Sequence, residues 1–262
     1  MSPYLTIVKI GGNIIDNPTA CVAFLRVFAR VSPPKVLVHG GGKIATQTAS
    51  KLDIETKMVE GRRITDQAML DVVTMVYGGL VNKNLVAQLQ ALDCNAIGLT
   101  GADAGIIRSV KRPAKEIDYG FVGDIEEVKR GQMESLLRSD LVPVIAPLTY
   151  SSEGLLLNTN ADTMASALAV AMAHSYNVNL VYCFEKKGVL SDPDDDDSVI
   201  PSLTPASYAD YKASGAINKG MIPKLDNAFQ ALETGVGRVT ICHAEDLLAV
   251  EEGQAGTVLG LD

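Results

Sequence analysis

At 262 residues, 47% of them hydrophobic, the chain can build one large α/β domain or two lobes that share one sheet. Its 23 Lys plus Arg against 31 Asp plus Glu give a net charge of −8, which argues against a nucleic-acid partner and leaves small-molecule chemistry open. No segment has the length of a membrane span, and the N-terminus enters a strand without a signal peptide's basic region and apolar core, so a cytoplasmic protein with no membrane partner is expected.

The stretch Thr6-Ile7-Val8-Lys9-Ile10-Gly11-Gly12-Asn13 opens with an apolar, β-branched run that reads as a strand buried on both faces. A lysine inside such a strand must find a partner, shift its pKa or snorkel to solvent at the strand end. Two glycines end the strand, and a helix is expected over 18–30. Strand, glycine turn and helix start together form an anion site, since free N–H groups and the helix dipole point outward; with Lys9 beside it the matching ligand is a phosphoryl group. The pattern repeats as a buried strand over 35–38, His39-Gly40-Gly41-Gly42-Lys43, and a helix to about 52. It departs from the Walker phosphate loop, with Ile44 where Ser or Thr should stand. Either these glycines make a tight turn for close helix packing, or two glycine turns from neighbouring parallel strands face each other at the carboxyl edge of a sheet.

Residues 58–65 read as a small hairpin with Asp66 capping the next helix, and Arg63 is either solvated or a fork for a carboxylate. From 69 to 92 the pattern is helical and apolar around most of the circumference, which calls for cover on two sides, inside the monomer or at a dimer seam. A strand over 95–100, hairpins to about 127, a helix over 131–139 and a buried strand over 142–147 follow. Asn158, Asn160 and Asp162 then stand at alternate positions before an alanine-rich helix over 163–173, more polar groups than one cap requires. A buried strand over 179–183 opens the second half, followed by a polar turn over 185–190 and the acidic run Asp192-Pro193-Asp194-Asp195-Asp196-Asp197. That run lacks the glycine and glutamate of a calcium loop and reads as a solvated loop. Helices over 205–215 and 222–234, a strand over 238–242, a short helix and a strand over 256–259 close the chain, and one continuous sheet with two lobes is expected. Cys21, Cys94, Cys183 and Cys242 form no C-x-x-C pair and read as reduced core residues, and the three histidines are too scattered for a metal motif, so no metal ligand is assigned.

Taken in order, Lys9-Ile10-Gly11-Gly12, His39-Gly40-Gly41-Gly42, Gly61-Arg62-Arg63-Ile64-Thr65, Gly79-Leu80-Val81-Asn82-Lys83, Asn158-Thr159-Asn160-Ala161-Asp162 and Gly220-Met221-Ile222-Pro223-Lys224 resemble the amino-acid kinase family over essentially the whole chain. Each motif is weak alone, and their order and spacing make the set specific. The resemblance implies a single domain over 1–262, a three-layer αβα sandwich with an open, mainly parallel eight-stranded sheet. Residues 1–174 would take an acyl-glutamate and 175–262 would take ATP. The members most like this chain pass the γ-phosphoryl of ATP, with Mg2+, to the side-chain carboxylate of N-acetyl-L-glutamate in arginine biosynthesis. N-succinyl-L-glutamate is the alternative acceptor, with Arg108, Lys111 and Arg112 either serving its extra carboxylate or forming a solvated turn. Carbamate kinase, glutamate 5-kinase, aspartokinase and uridylate kinase share the fold. A silent sensor on this fold is the reading from another class, and the joint presence of Lys9, Asp162 and Lys224 speaks against it.

By the same resemblance Lys9 and Lys224 straddle the migrating phosphoryl group, and Asp162 between them holds both ammonium groups. Gly11, Gly12, Gly41 and Gly42 would offer N–H groups to phosphoryl and substrate oxygens, while Arg63 and Asn158 hold the acceptor's α-carboxylate and backbone. Magnesium bridging ATP phosphates keeps several waters and calls for no dedicated carboxylate cage. The chain departs from the family in carrying Phe184-Glu185 where members commonly have Thr-Asp, which leaves nucleotide contacts over 184–190 open. Arginine-inhibited members have an extra N-terminal helix that joins dimers into a hexameric ring, whereas only about eight residues precede Lys9 here. A homodimer through the apolar helix near 66–78, insensitive to arginine, is therefore expected.

Overall fold

A computed structural model of the chain describes residues 2–59, 61–192, 194–217 and 221–262. Glu60 of the expected hairpin, Pro193 of the acidic run, and Lys219 with Gly220 ahead of Met221 lie outside the described residues. The fold is α/β, with helices on both sides of an eight-stranded, mainly parallel sheet. Its strands run in the order Ser202–Leu203, Thr257–Leu259, Arg238–His243, Asn177–Phe184, Tyr4–Ile10, Lys35–His39, Val142–Ala146 and Ala96–Thr100. Central strands such as Tyr4–Ile10 and Val142–Ala146 are buried without alternation, as expected of a parallel sheet covered on both faces. The expected single sheet needs correction, because Leu156–Asn158, Leu148–Tyr150, Ile107–Lys111 and Gly123–Val128 form a separate four-stranded sheet. Strands of only three residues carry too little periodicity to announce a second sheet.

By packing, the residues divide into two compact units, Met1–Val36 with Ala165–Asp262 and Leu37–Met164. This partition differs from the division at 174/175 implied by the resemblance, which concerns the ligand each part holds. In the first unit, Tyr4–Ile10 pairs parallel with Asn177–Phe184, which pairs parallel with Arg238–His243. The helix Pro18–Arg30 starts where the Asn17 side chain accepts from the Thr19 and Ala20 N–H groups, and it buries Cys21, Phe24, Leu25 and Phe28 on one face. Its last carbonyls are met from an unexpected direction. Buried Lys35 donates to the carbonyls of Phe28, Ala29 and Val31 at 2.9, 2.8 and 2.7 Å, so its charge sits at the negative end of the helix dipole. Cys183 and Cys242 lie side by side on adjacent strands, Sγ to Sγ 3.7 Å, and that contact together with burial pushes the Cys183 thiol well up; both are protonated core residues.

In the second unit, a long helix begins at Asp66, whose carboxylate accepts from the Met69 N–H at 2.9 Å. It runs as α-helix over Gln67–Val73, as π-helix over Thr74–Val81, and again as α-helix over Asn82–Gln90. The apolar pattern predicts the helix, and the wider turn is not visible in it, because a helix apolar on most of its circumference has no face to mark the extra residue. Val76, Tyr77 and Val81 are buried within the π stretch, while Met75 and Leu80 are each 53% exposed. The helix expected from 163 begins at Ala161, so Asp162 stands in its first turn, and the Asn160 side chain caps it by accepting from the Asp162 and Thr163 N–H groups at 2.8 and 3.0 Å. The Asp194–Asp197 segment is exposed, with Lys186 on Asp196 and Lys187 on Asp197, as a solvated loop should be.

Candidate functional site

Within Leu37–Met164, the strand Lys35–His39 delivers the chain to Gly40, and the helix Gly42–Lys51 starts two residues later. Gly41 between them has φ +145°, and a Cβ there would stand 3.2 Å from the Tyr77 ring and 3.3 Å from Val81. Only glycine meets both demands. Gly41, Gly42, Arg63 and Asn158, the four residues proposed from sequence for the acceptor, line one cavity of about 220 Å³ with Tyr77, Arg112 and Asp124.

Arg63 enters this cavity from the two-residue strand Arg62–Arg63 and is 8% exposed. Its Nη2 donates to the Gly42 carbonyl at 2.8 Å and to Thr46 Oγ1 at 2.9 Å, so the guanidinium plane is set by the glycine turn and the first turn of the following helix. Asn158 donates from Nδ2 to Thr65 Oγ1 at 3.0 Å, and Thr65 Oγ1 donates to the Arg63 carbonyl at 3.1 Å. Thr65 is thus the link that ties the arginine's strand to the asparagine. Its backbone is held in turn by Tyr119 and Phe121, which flank Gly120. Gly120 has φ +70°, and a Cβ there would lie 2.2 Å from the Thr65 carbonyl oxygen.

Among the three basic residues raised for a longer acyl group, Arg112 lines the cavity and forks onto Asp124, with its guanidinium 5.4 Å from the Tyr119 ring. Arg108 pairs with Glu126 and Glu127, and Lys111 lies 4.7 Å from the centre of the Phe121 ring. Beneath the glycine turn, the fully buried His39 has its pKa lowered to about 4 by burial, with the Lys83 charge acting in the same direction.

In the other unit, Lys9 is 6% exposed near the end of Tyr4–Ile10. Its Nζ lies 5.1 Å from the centre of the Phe184 ring, and the Nζ of Lys224, in the first turn of Ile222–Glu233, lies 4.4 Å from the same ring. Gly11 donates its N–H to the Cys183 carbonyl at 3.0 Å, and a Cβ on it would come 3.2 Å from Phe184. Gly12 opens the short helix Gly12–Ile15, whose Asn13 donates to Glu185 Oε1 at 2.6 Å. Two ammonium groups over one electron-rich face collect positive charge where the first glycine turn exposes backbone, an arrangement suited to a phosphoryl group.

The structure therefore gathers Lys9, Gly11, Gly12 and Lys224 in one unit, and Gly41, Gly42, Arg63, Asn158 and Asp162 in the other. Sequence reasoning missed Phe184, which it had registered only as a departure from a pattern. An aromatic residue closing a buried strand, with a buried-strand lysine nearby in the sheet, is the signal that could have found it. It also missed Thr46, Thr65 and Asp124, ordinary polar residues whose roles depend on contacts far along the chain.

A model of the Amino acid kinase family matches residues 5–243. The chain is similar to the acetylglutamate kinase of Cytophaga hutchinsonii, 57% identical over 258 residues that cover 97% of this chain and 98% of that one. It is 56% identical to the acetylglutamate kinase of Phocaeicola vulgatus over 99% of both chains. Among solved structures, the protein smu.665 of Streptococcus mutans superposes with a TM-score of 0.80 at 27% identity, covering 98% of this chain and 99% of that one.

Proposed function

The chain belongs to the amino acid kinase family, and from that footing we propose that it transfers the γ-phosphoryl group of ATP to the side-chain carboxylate of N-acetyl-L-glutamate, a step of arginine biosynthesis. An ionised carboxylate oxygen attacks the γ-phosphorus, the bond from that phosphorus to the β,γ-bridging oxygen breaks, and ADP leaves with the bond's electron pair. The product is N-acetyl-L-glutamyl 5-phosphate, and no proton has to move. Such a transfer depends on positioning and on offsetting charge. What carries the reading is the cavity where Arg63, Asn158 and the Gly41-Gly42 turn converge, since an acyl-amino acid needs a fork for its α-carboxylate and donors for its remaining oxygens.

In this reading Arg63 and Asn158 hold the acceptor, and the N–H groups of Gly41 and Gly42 meet its oxygens. Lys9 and Lys224 offset the charge of the migrating phosphoryl group, Gly11 and Gly12 receive phosphate oxygens, and Asp162 keeps the ammonium groups oriented. ATP enters as its magnesium complex, whose ion bridges phosphate oxygens and lowers their charge. Residues 1–174 serve the acyl-glutamate and 175–262 the nucleotide. A cytoplasmic enzyme fits the four buried, unbridged cysteines, and a homodimer fits the exposed Met75 and Leu80 on the long helix.

N-succinyl-L-glutamate is the second reading, drawn from Arg112 in the cavity wall. Asp124 already engages that guanidinium, and an uncharged acetyl group leaves the pair intact, so the acetyl acceptor is preferred. A coupled ADP-release assay comparing the two acceptors on one preparation tests both. A preference of about tenfold in kcat/KM for the succinyl compound, about 1.4 kcal/mol, would reverse the assignment; no ADP release with either would remove the kinase reading.

A further inference from the structure

The glycine turn that borders the cavity is braced from below by a hydrogen-bond chain of fixed polarity. His39, 0% exposed, places Nδ1 2.7 Å from the Gly40 carbonyl oxygen and Nε2 3.0 Å from Asn82 Nδ2. Asn82, also 0% exposed, gives its other amide hydrogen to the Val144 carbonyl at 2.9 Å. Its Oδ1 accepts from Lys83 Nζ at 3.1 Å, and Lys83 donates as well to the Gly98 carbonyl at 2.8 Å. The amide's two hydrogens are committed to Val144 and His39, so His39 Nε2 must present its lone pair. The ring proton is then on Nδ1 and goes to Gly40. A neutral imidazole with that one tautomer satisfies every group in the chain. The space for it is kept by Gly98, where a Cβ would lie 2.0 Å from Asn82 Oδ1 and 2.8 Å from Lys83 Nζ.

The consequence appears one peptide further along. The Gly40–Gly41 bond is trans, so its carbonyl and the Gly41 N–H point to opposite sides. A carbonyl held toward His39 turns that N–H away from the core, on the side of Gly41 that lines the cavity. We propose that His39 and Asn82 are positioning residues for the acceptor: by fixing the Gly40 carbonyl they aim the Gly41 N–H into the cavity, where it donates to an oxygen of the acyl-glutamate. The inference rests on the kinase reading of this cavity and adds a pair of residues that never touch the substrate.

The experiment has two arms. Steady-state kinetics on His39→Phe and Asn82→Leu, each with its melting temperature, should show KM for N-acetyl-L-glutamate raised about tenfold, while KM for ATP changes less than about twofold. A purely structural role would lower the melting temperature and the active fraction and leave both KM values of the folded enzyme in place; that result overturns the proposal. Should the variants fail to fold, side-chain and amide 15N spectra of the unaltered protein decide. The proposal expects His39 as a neutral ring protonated on Nδ1, and a Gly41 amide resonance that moves when N-acetyl-L-glutamate is added. A ring protonated on Nε2, or a Gly41 amide indifferent to bound acceptor, overturns it. Wild-type turnover is measured first, so its absence would sink the kinase reading separately, and normal turnover with unmoved KM values would sink only the positioning role.

Discussion

At the scale of single residues, the proposed chemistry separates groups that meet developing charge from groups that hold the ground state. Lys9 and Lys224 share the face of Phe184, and replacing either by Ala should lower kcat by about 10² or more with the fold retained, measured by ADP release and circular dichroism. Arg63→Ala should act differently, raising KM for N-acetyl-L-glutamate more than it lowers kcat, because a contact made to the bound acceptor is lost. A rise confined to KM for ATP would contradict that assignment. His39 supplies a pH signature. Its folded pKa is about 4, below the ordinary 6.5, so the unfolded chain takes up the proton first as pH falls. The stabilisation is fully present above the unfolded value and is lost as pH drops toward 4; between about pH 7 and 5 the loss is roughly 2 kcal/mol. Urea midpoints at the two pH values, alongside the ring's 15N titration, check the size and the sign.

At the scale of elements, what was legible was what repeats. The strand–glycine–helix units at 4–15 and 35–51 follow from β-branched runs ended by glycines, and Asp66 announces its helix through a local cap. Arg63, Asn158, Gly41 and Gly42 could be named together from their motifs, and the structure gathers them around one cavity. What stayed hidden depends on partners distant in sequence. Thr65 links Arg63 to Asn158 across 93 positions, and nothing in a window around either residue encodes that. The four-stranded sheet was hidden for a related reason, since its strands are short and their pairing is decided by the hairpin turns. Gly120 is the clearest test of this layer. A Cβ would press on the Thr65 carbonyl and φ is positive, so Gly120→Ala should cost about 1–3 kcal/mol in urea unfolding and loosen the acceptor site with it. A variant with unchanged stability would mean that the backbone can yield there without loss.

At the scale of the whole molecule, the long helix Gln67–Gln90 both supports the acceptor cavity through Tyr77 and offers exposed apolar side chains. If Met75 and Leu80 are covered by a second copy, light scattering on the purified protein should give a dimer mass, and Met75→Asp with Leu80→Asp should shift it to the monomer. A monomer for the unaltered chain at micromolar concentration would leave those side chains exposed and reject the seam.

The π-helical stretch Thr74–Val81 also bears on how the gene can vary. A π segment is the form an α-helix takes when it accommodates one residue too many, and so it holds a spare residue in reserve. A one-codon deletion inside it could be absorbed by a return to α-helical spacing, where the same deletion in Pro18–Arg30 would rotate a buried face out of register. The cost falls downstream. Everything after the deletion turns by about 100° about the helix axis, and Asn82 would leave His39. Length in this helix is therefore constrained less by folding than by the need to keep one amide under one glycine turn.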